Sequence, residues 1–307
     1  VAGRIVVVGS LNADLVVRVA RFAAPGETVS GHGFAVIPGG KGANQACAAA
    51  RLGGDVVMVG CVGADGHGEL LRRSLAQAGA DVAHVASVAD APTGVALITV
   101  DDAAENHIVV VPGANAHLTA ARVAEAAAVF PGAAVVLLQL EVPLEAVEEA
   151  ARRARAAGAR VVLDPAPARA LPDAVVAAAD HLTPNQTELA ALTGAPVRTE
   201  EDARHAARGL LARGAGHVVV KRGEHGALLV GADGEWSWPA PPVPAVDTTA
   251  AGDAWNGAFA VALAGGSSLT EAGRFATAAA SLSVTRHGAQ PSMPRRDEVL
   301  ALMNGRS

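Results

Sequence analysis

Short apolar runs alternate with Ala-rich helical stretches through most of this chain, and that rhythm restricts the fold more than any other property. Residues 5–8, 56–59, 135–140, 161–163 and 218–220 read as buried strands, each followed by glycine, proline or polar residues. Between them lie helix-like segments such as residues 42–52 and the Ala/Glu/Arg stretch that Pro143 opens, a favoured place for proline. Alternation of this kind predicts an α/β fold with three layers, α/β/α, around a mostly parallel central sheet. In such sheets ligands collect beyond the carboxyl ends of the strands. The polar clusters of this chain fall at such ends.

Two pieces break the rhythm. Residues 14–37 and 93–111 hold strand-like stretches (15–19, 95–100, 107–111) with no helical connection. They are expected to pair with each other as a small β-sheet lid. The predicted division is a core of residues 1–11, 38–92 and 112–307 with a discontinuous lid of residues 12–37 and 93–111. No apolar run reaches the roughly 20 residues needed to cross a bilayer, so no membrane partner is expected. A formal charge of −6, five Phe, three Trp and no Tyr argue against a nucleic-acid partner. Cys47 and Cys61 form no disulfide framework, and no charged-then-apolar leader precedes the first strand. Both observations predict a cytoplasmic location. The ten His show no paired ligand spacing, which argues against zinc.

Residues 247–257, Asp-Thr-Thr-Ala-Ala-Gly-Asp-Ala-Trp-Asn-Gly, set small residues and a glycine before an acid at a predicted helix start. Unpaired backbone N–H groups and the helix dipole favour an anion there. Asp253 therefore reads as a base beside a phosphate that the preceding amides hold. Residues 39–45, Gly-Gly-Lys-Gly-Ala-Asn-Gln, form a second glycine-rich helix start without the spacing of a Walker A loop. Of 22 Arg and two Lys, Lys41 and Lys221 both fall in glycine-flanked segments, where a compact ammonium is the residue to suspect. Asn12 and Asp14 follow the first strand and suit a polyhydroxy ligand, or a plain turn. Glu141 ends an apolar strand, where a charge is costly unless paired or turned to a ligand. Asn185 and Glu188 lie one helical turn apart, either as oxygen ligands for Mg²⁺ through waters or as a helix cap.

Taken in order, residues 39–45, 164–168, 183–188, 221–226, 247–257 and 288–292 resemble the ribokinase family of sugar kinases, over essentially the whole chain. The resemblance implies ATP-dependent phosphorylation of D-ribose at its primary (O5) hydroxyl. It implies Asp253 as general base, with the amides of Ala250, Ala251 and Gly252 as an anion hole. By the same resemblance Asn12, Asp14, Gly40, Lys41, Gly42, Asn44, Glu141 and Asp253 itself hold the sugar. Asn185, Lys221, Arg222, Gly223, Gly226, Gly252 and Thr277 flank the ATP. Asn185 and Glu188 order Mg²⁺, and Asp247, Thr249, Ser283, Arg286, Gly288 and Ser292 surround an activating K⁺. A homodimer through the lid is implied too. Lys221 stands where sugar kinases of this kind often carry a small hydroxyl residue and some keto-sugar acid kinases carry Lys. The alternatives within the family are fructokinase, keto-deoxy sugar acid kinase, deoxyribose kinase and nucleoside kinase. Outside it stands a non-catalytic sugar-binding regulator, against which the intact Asp253 argues.

Overall fold

Ile5 and Val7 pack on one side of the first strand and Val6 and Val8 on the other, all four at 0% exposure. A strand buried on both faces belongs inside a parallel sheet covered by two helical layers. The computed structural model, which describes residues 3–103 and 105–305, has that architecture.

In chain order the strands are β1 (Arg4–Val8), β2 (Asn12–Val19), β3 (Gly31–Gly39), β4 (Val56–Gly63), β5 (Asp81–Val88), β6 (Gly94–Val100), β7 (Asn106–Val111), β8 (Ala133–Leu138), β9 (Arg160–Leu163), β10 (His181–Leu182), β11 (His217–Lys221), β12 (Ala227–Gly231) and β13 (Gly234–Trp238). The α-helices are α1 (Lys41–Arg51), α2 (Gly66–Ala78), α3 (Ala120–Glu125), α4 (Leu144–Ala156), α5 (Asp173–Ala178), α6 (Gln186–Thr193), α7 (Glu200–Ala212), α8 (Ala251–Ala264), α9 (Leu269–Ser283) and α10 (Arg296–Met303).

The central sheet runs β13-β12-β11-β10-β9-β8-β1-β4-β5, parallel from β5 to β11 and finished by two antiparallel strands. Helices α3 to α7 pack on the Val6 face, and α1, α2 and α8 to α10 on the Ile5 face. The expected strands are present. The 135–140 run stops at Leu138, however, where the chain leaves the sheet and Leu140 N–H donates to the Ala166 carbonyl at 2.9 Å. The β12–β13 hairpin was not foreseen, because a single antiparallel excursion leaves the helix–strand rhythm elsewhere unchanged.

A separate four-stranded sheet runs β3-β2-β6-β7. Its middle pair, β2 and β6, is parallel, so the two pieces that broke the rhythm do pair with each other. Strand β3 went unread, since its Gly, Phe and Pro follow no strict alternation.

Two glycines set the helices of the Ile5 face. Gly40 has φ +87°, and a methyl on it would lie 2.6 Å from the Asn12 nitrogen. Only glycine lets β3 turn into α1 so close to the loop after β1. Gly257 on α8 meets α1, where an added methyl would sit 2.7 Å from Ala48 Cβ. The starts of α1 and α8 are thereby brought side by side. Among the described residues no helix is long and apolar enough to cross a membrane.

Candidate active site

Helix α8 begins without a side-chain cap. Its N-cap, Ala250, has φ +59° and is the one non-glycine residue with positive φ among the described residues. Such a conformation costs on the order of 1–3 kcal/mol and persists only where the surroundings impose it. Asp247 does so here. Its carboxylate accepts from Thr249 N–H at 2.9 Å and from Gly288 N–H at 2.8 Å, fastening the loop to the segment after α9. Burial would raise its pKa, but these bonds outweigh burial and hold it below the usual range. Among the described residues the N–H groups of Gly252 and Asp253 have no protein acceptor, while Ala251 N–H makes a long 3.3 Å bond to the Thr248 carbonyl. The Ala250 N–H likewise has no protein acceptor, so the bare donors are Ala250, Gly252 and Asp253, two of the three expected at 250–252 and one beyond them.

Asp253 is 5% exposed. Oδ2 accepts from Asn44 Nδ2 at 3.0 Å and Oδ1 from Gln45 Nε2 at 3.1 Å. Desolvation raises its pKa to about 6, with Lys41 and the two amides pulling the other way and Asp164 adding to the rise. Desolvation also works against the charge of Lys41, yet Asp253, Asp164, Glu141 and Glu188 together hold that ammonium above its usual pKa. Asp14, on β2, rises to about 7 through burial and the charges of Glu141 and Asp253. A base in this state must be ionised to work, so kcat/KM is expected to fall ~10-fold per pH unit below a midpoint near 6. An acid limb centred near 4, the ordinary carboxylate range, would contradict this.

The remaining sugar-site candidates converge on the same spot. Glu141, three residues past the end of β8 and not on the strand as expected, accepts through Oε2 from Ser10 Oγ at 2.5 Å and from Lys41 N–H at 3.0 Å, which answers its charge. Asn12 Oδ1 accepts from Asn115 Nδ2 at 2.7 Å, and Asn115 also brackets the Leu11 backbone. Asp14 lies against Gly39, where a methyl would come within 2.2 Å of its carboxylate.

From Asp253 a cavity of about 870 Å³ extends along the sheet edge, lined by Lys41, Asp164, Asn185, Glu188, Lys221 and Gly252 at its polar end. Gly223, Gly226, Thr277 and the apolar Pro241, Pro242 and Val243 line the rest. Lys221 Nζ donates to Asp164 Oδ1 at 2.9 Å and would stand 3.2 Å from a methyl on Gly252. Asn185 and Glu188 form a capping box at the start of α6, and both residues line the cavity. Arg222 is not among the cavity's lining residues: its guanidinium pairs with Glu200 and donates to the His225 carbonyl. Thr277 Oγ1 accepts from Trp255 Nε1 at 3.2 Å. Near Asp247, the Ser283 carbonyl accepts from Arg286 N–H, and Ser292 closes a short turn by donating to the Ala289 carbonyl. Sequence reading missed Gln45, Gln139, Asn115 and the part played by Asp164, all of which act through partners distant in the chain.

A poised carboxylate beside a bare helix start, with two ammonium groups on the adjoining cavity, defines a phosphoryl-transfer enzyme of the α/β class. The profile of the pfkB family carbohydrate kinases matches residues 2–296. Over 297 residues the chain is 43% identical to the ribokinase of Haemophilus influenzae, covering 97% of each protein. The crystal structure of ribokinase from Thermotoga maritima matches with a TM-score of 0.91 at 41% identity, covering 98% of this chain and 99% of that one. Ribokinase from Arabidopsis thaliana, solved with ribose and ATP, matches with a TM-score of 0.91 at 37% identity, covering 99% of both. This protein belongs to the pfkB family of carbohydrate kinases.

Proposed function

We propose that this protein transfers the γ-phosphoryl group of ATP to the primary (O5) hydroxyl of D-ribose, giving ribose 5-phosphate and ADP. The observation that carries the reading is Asp253, ionisable near neutral pH and one residue past the unpaired Gly252 amide. The similarity to a ribokinase solved with ribose and ATP supports the choice of sugar and donor. Asn12, Asp14, Gly40, Lys41, Gly42, Asn44 and Glu141 hold the sugar with its primary hydroxyl toward Asp253. The carboxylate takes the hydroxyl proton as the oxygen attacks phosphorus. Fixed backbone dipoles at the start of α8 stabilise the charge that develops. The test is sugar-dependent ADP release, with no release from ATP alone.

Lys221 touches the ATP phosphates, since its ammonium lies over Gly252 and is already paired to Asp164. Lys221→Ala is expected to raise the KM for ATP ~10-fold, the loss of one charge-assisted contact of about 1.5 kcal/mol. An unchanged KM for ATP would count against the role. Gly223, Gly226 and Thr277 flank the nucleotide.

The donor sets fit two cations. Asn185 and Glu188 offer a carboxylate and an amide on the cavity wall, which suits Mg²⁺ through retained waters. Bound there, Mg²⁺ supplies positive charge against the phosphate oxygens. One carboxylate, Asp247, with the main-chain carbonyls of the loop around Thr249, Ser283, Arg286, Gly288 and Ser292, suits K⁺. The Asp247–Gly288 bond draws these segments together.

The four-stranded sheet, residues 12–37 and 93–111, acts as a lid that excludes water on closing and so limits wasteful ATP hydrolysis. Phe34, Leu97, Ile108 and Val109 are exposed on it, and covering them supports a homodimer. Sedimentation as a monomer at micromolar concentration would refute the dimer. Two free, buried cysteines fit a reducing cytoplasm.

A further inference from the structure

Behind Asp253 lie two glutamines, both at 0% exposure, that the reaction as drawn does not use. Gln45, on α1, donates through Nε2 to Asp253 Oδ1 at 3.1 Å and to Asp164 Oδ2 at 3.0 Å. Its Oε1 accepts from Gln139 Nε2 at 2.7 Å. The orientation follows from chemistry. Ionised carboxylates only accept, so the amide nitrogen of Gln45 must face them, and its carbonyl then needs the donor that Gln139 supplies. Gly9 makes the room, because a methyl there would lie 1.9 Å from Gln139 Oε1. Asp164 accepts in turn from Lys221. One side chain therefore spends both its N–H bonds joining the carboxylate at the helix start to the carboxylate that holds Lys221.

We propose that Gln45, anchored by Gln139, is a positioning residue that fixes the rotamer of Asp253 and ties it to the Asp164–Lys221 pair. The proposal rests on the reading of Asp253 as general base, whichever sugar is phosphorylated. A donor to the ionised form favours that form, so its removal both loosens the base and makes it harder to ionise. The bond from Gln45 acts in that direction on Asp253. Without the anchor, Gln45 can rotate its amide and present its carbonyl to the carboxylates.

Gln45→Met and Gln139→Met keep the volume and remove the amide chemistry. Gln45→Met is expected to lower kcat ~10-fold or more, as misplacement of a reacting group does, with little change in the KM for the sugar. The acid limb of kcat/KM moves to higher pH, and Gln45→Glu moves it further by adding a third carboxyl. Gln139→Met moves it the same way by less. A purely structural role would lower the melting temperature and leave kcat and the acid limb at wild-type values, and that result would overturn the proposal. Should position 45 tolerate no substitution, the Gln139 variant gives the same readout. In the unsubstituted protein the Gln45 side-chain amide ¹⁵N resonance must titrate with the acid-limb midpoint, and a flat resonance would refute the link. Absence of sugar-dependent turnover in the wild type counts against the proposed function instead, while the amide titration still reads this coupling.

Discussion

Asp253→Asn is expected to leave the protein folded and to lower kcat at least ~100-fold, the lower range for losing a group that takes a proton in the transition state. Asparagine has the same shape but cannot accept the proton of the acceptor hydroxyl at neutral pH. The fold should tolerate the change. The folded-state pKa of Asp253 is raised from 3.8 to about 6, so the stability linked to this group is present below 3.8 and lost as pH rises through about 6. Neutralising the side chain at pH 7 removes that penalty, and the amide carbonyl can still accept one of the bonds from Asn44 and Gln45. Apart from the reacting hydroxyl, the sugar contacts lie on other residues, so the KM for the sugar should change little and the loss should appear in kcat. Steady-state kinetics with a thermal melt of the same preparation checks both halves. Near-normal turnover in a folded Asp253→Asn protein would remove this residue from the role.

The second large effect is on stability. Gly40→Ala is expected to destabilise the protein by about 2–4 kcal/mol, combining backbone strain at positive φ with overpacking against a neighbouring strand. Gly53 gives the control. It has the same φ of +87° but nothing within 4 Å of an added methyl. Gly53→Ala should therefore cost only the strain, and the difference between the two variants isolates the close approach of residue 40 to Leu11 and Asn12. Urea unfolding midpoints measure it. Equal midpoints would mean that the loop after β1 yields without cost. Because Lys41, Asn44 and Gln45 follow on α1, activity should fall in Gly40→Ala and hold in Gly53→Ala.

Much of this molecule was legible in the sequence because its informative signals are local. Valine-rich runs such as residues 5–8 mark strands buried on both faces, and a polar residue after most of them, Asn12, Glu141, Asp164 or Lys221, marks the edge where ligands collect in such sheets. The bare start of α8 followed from small residues ahead of Asp253. Its geometry did not, since positive φ at an alanine is imposed by the Asp247 loop and not by alanine itself. Gln139 was hidden at the end of an apolar run, and Gln45 inside a helix start read for Lys41 and Asn44. Their meaning depends on contacts spanning 94 and 208 residues. Arg222 stood in a motif, but Glu200 on α7 claims its guanidinium, and such competition is settled only when helices pack. Asn185 and Glu188 form the helix cap, one of the two readings the spacing allowed, and both residues also line the cavity.

The most direct measurement is ADP release from ATP across D-ribose, deoxyribose, fructose, keto-deoxy sugar acids and nucleosides, each with and without K⁺. The account predicts the highest kcat/KM on D-ribose, a product carrying phosphate on O5, and stimulation by K⁺. Higher kcat/KM on any other acceptor would contradict the assignment of ribose, and no sugar-dependent ADP release would contradict the account at its centre.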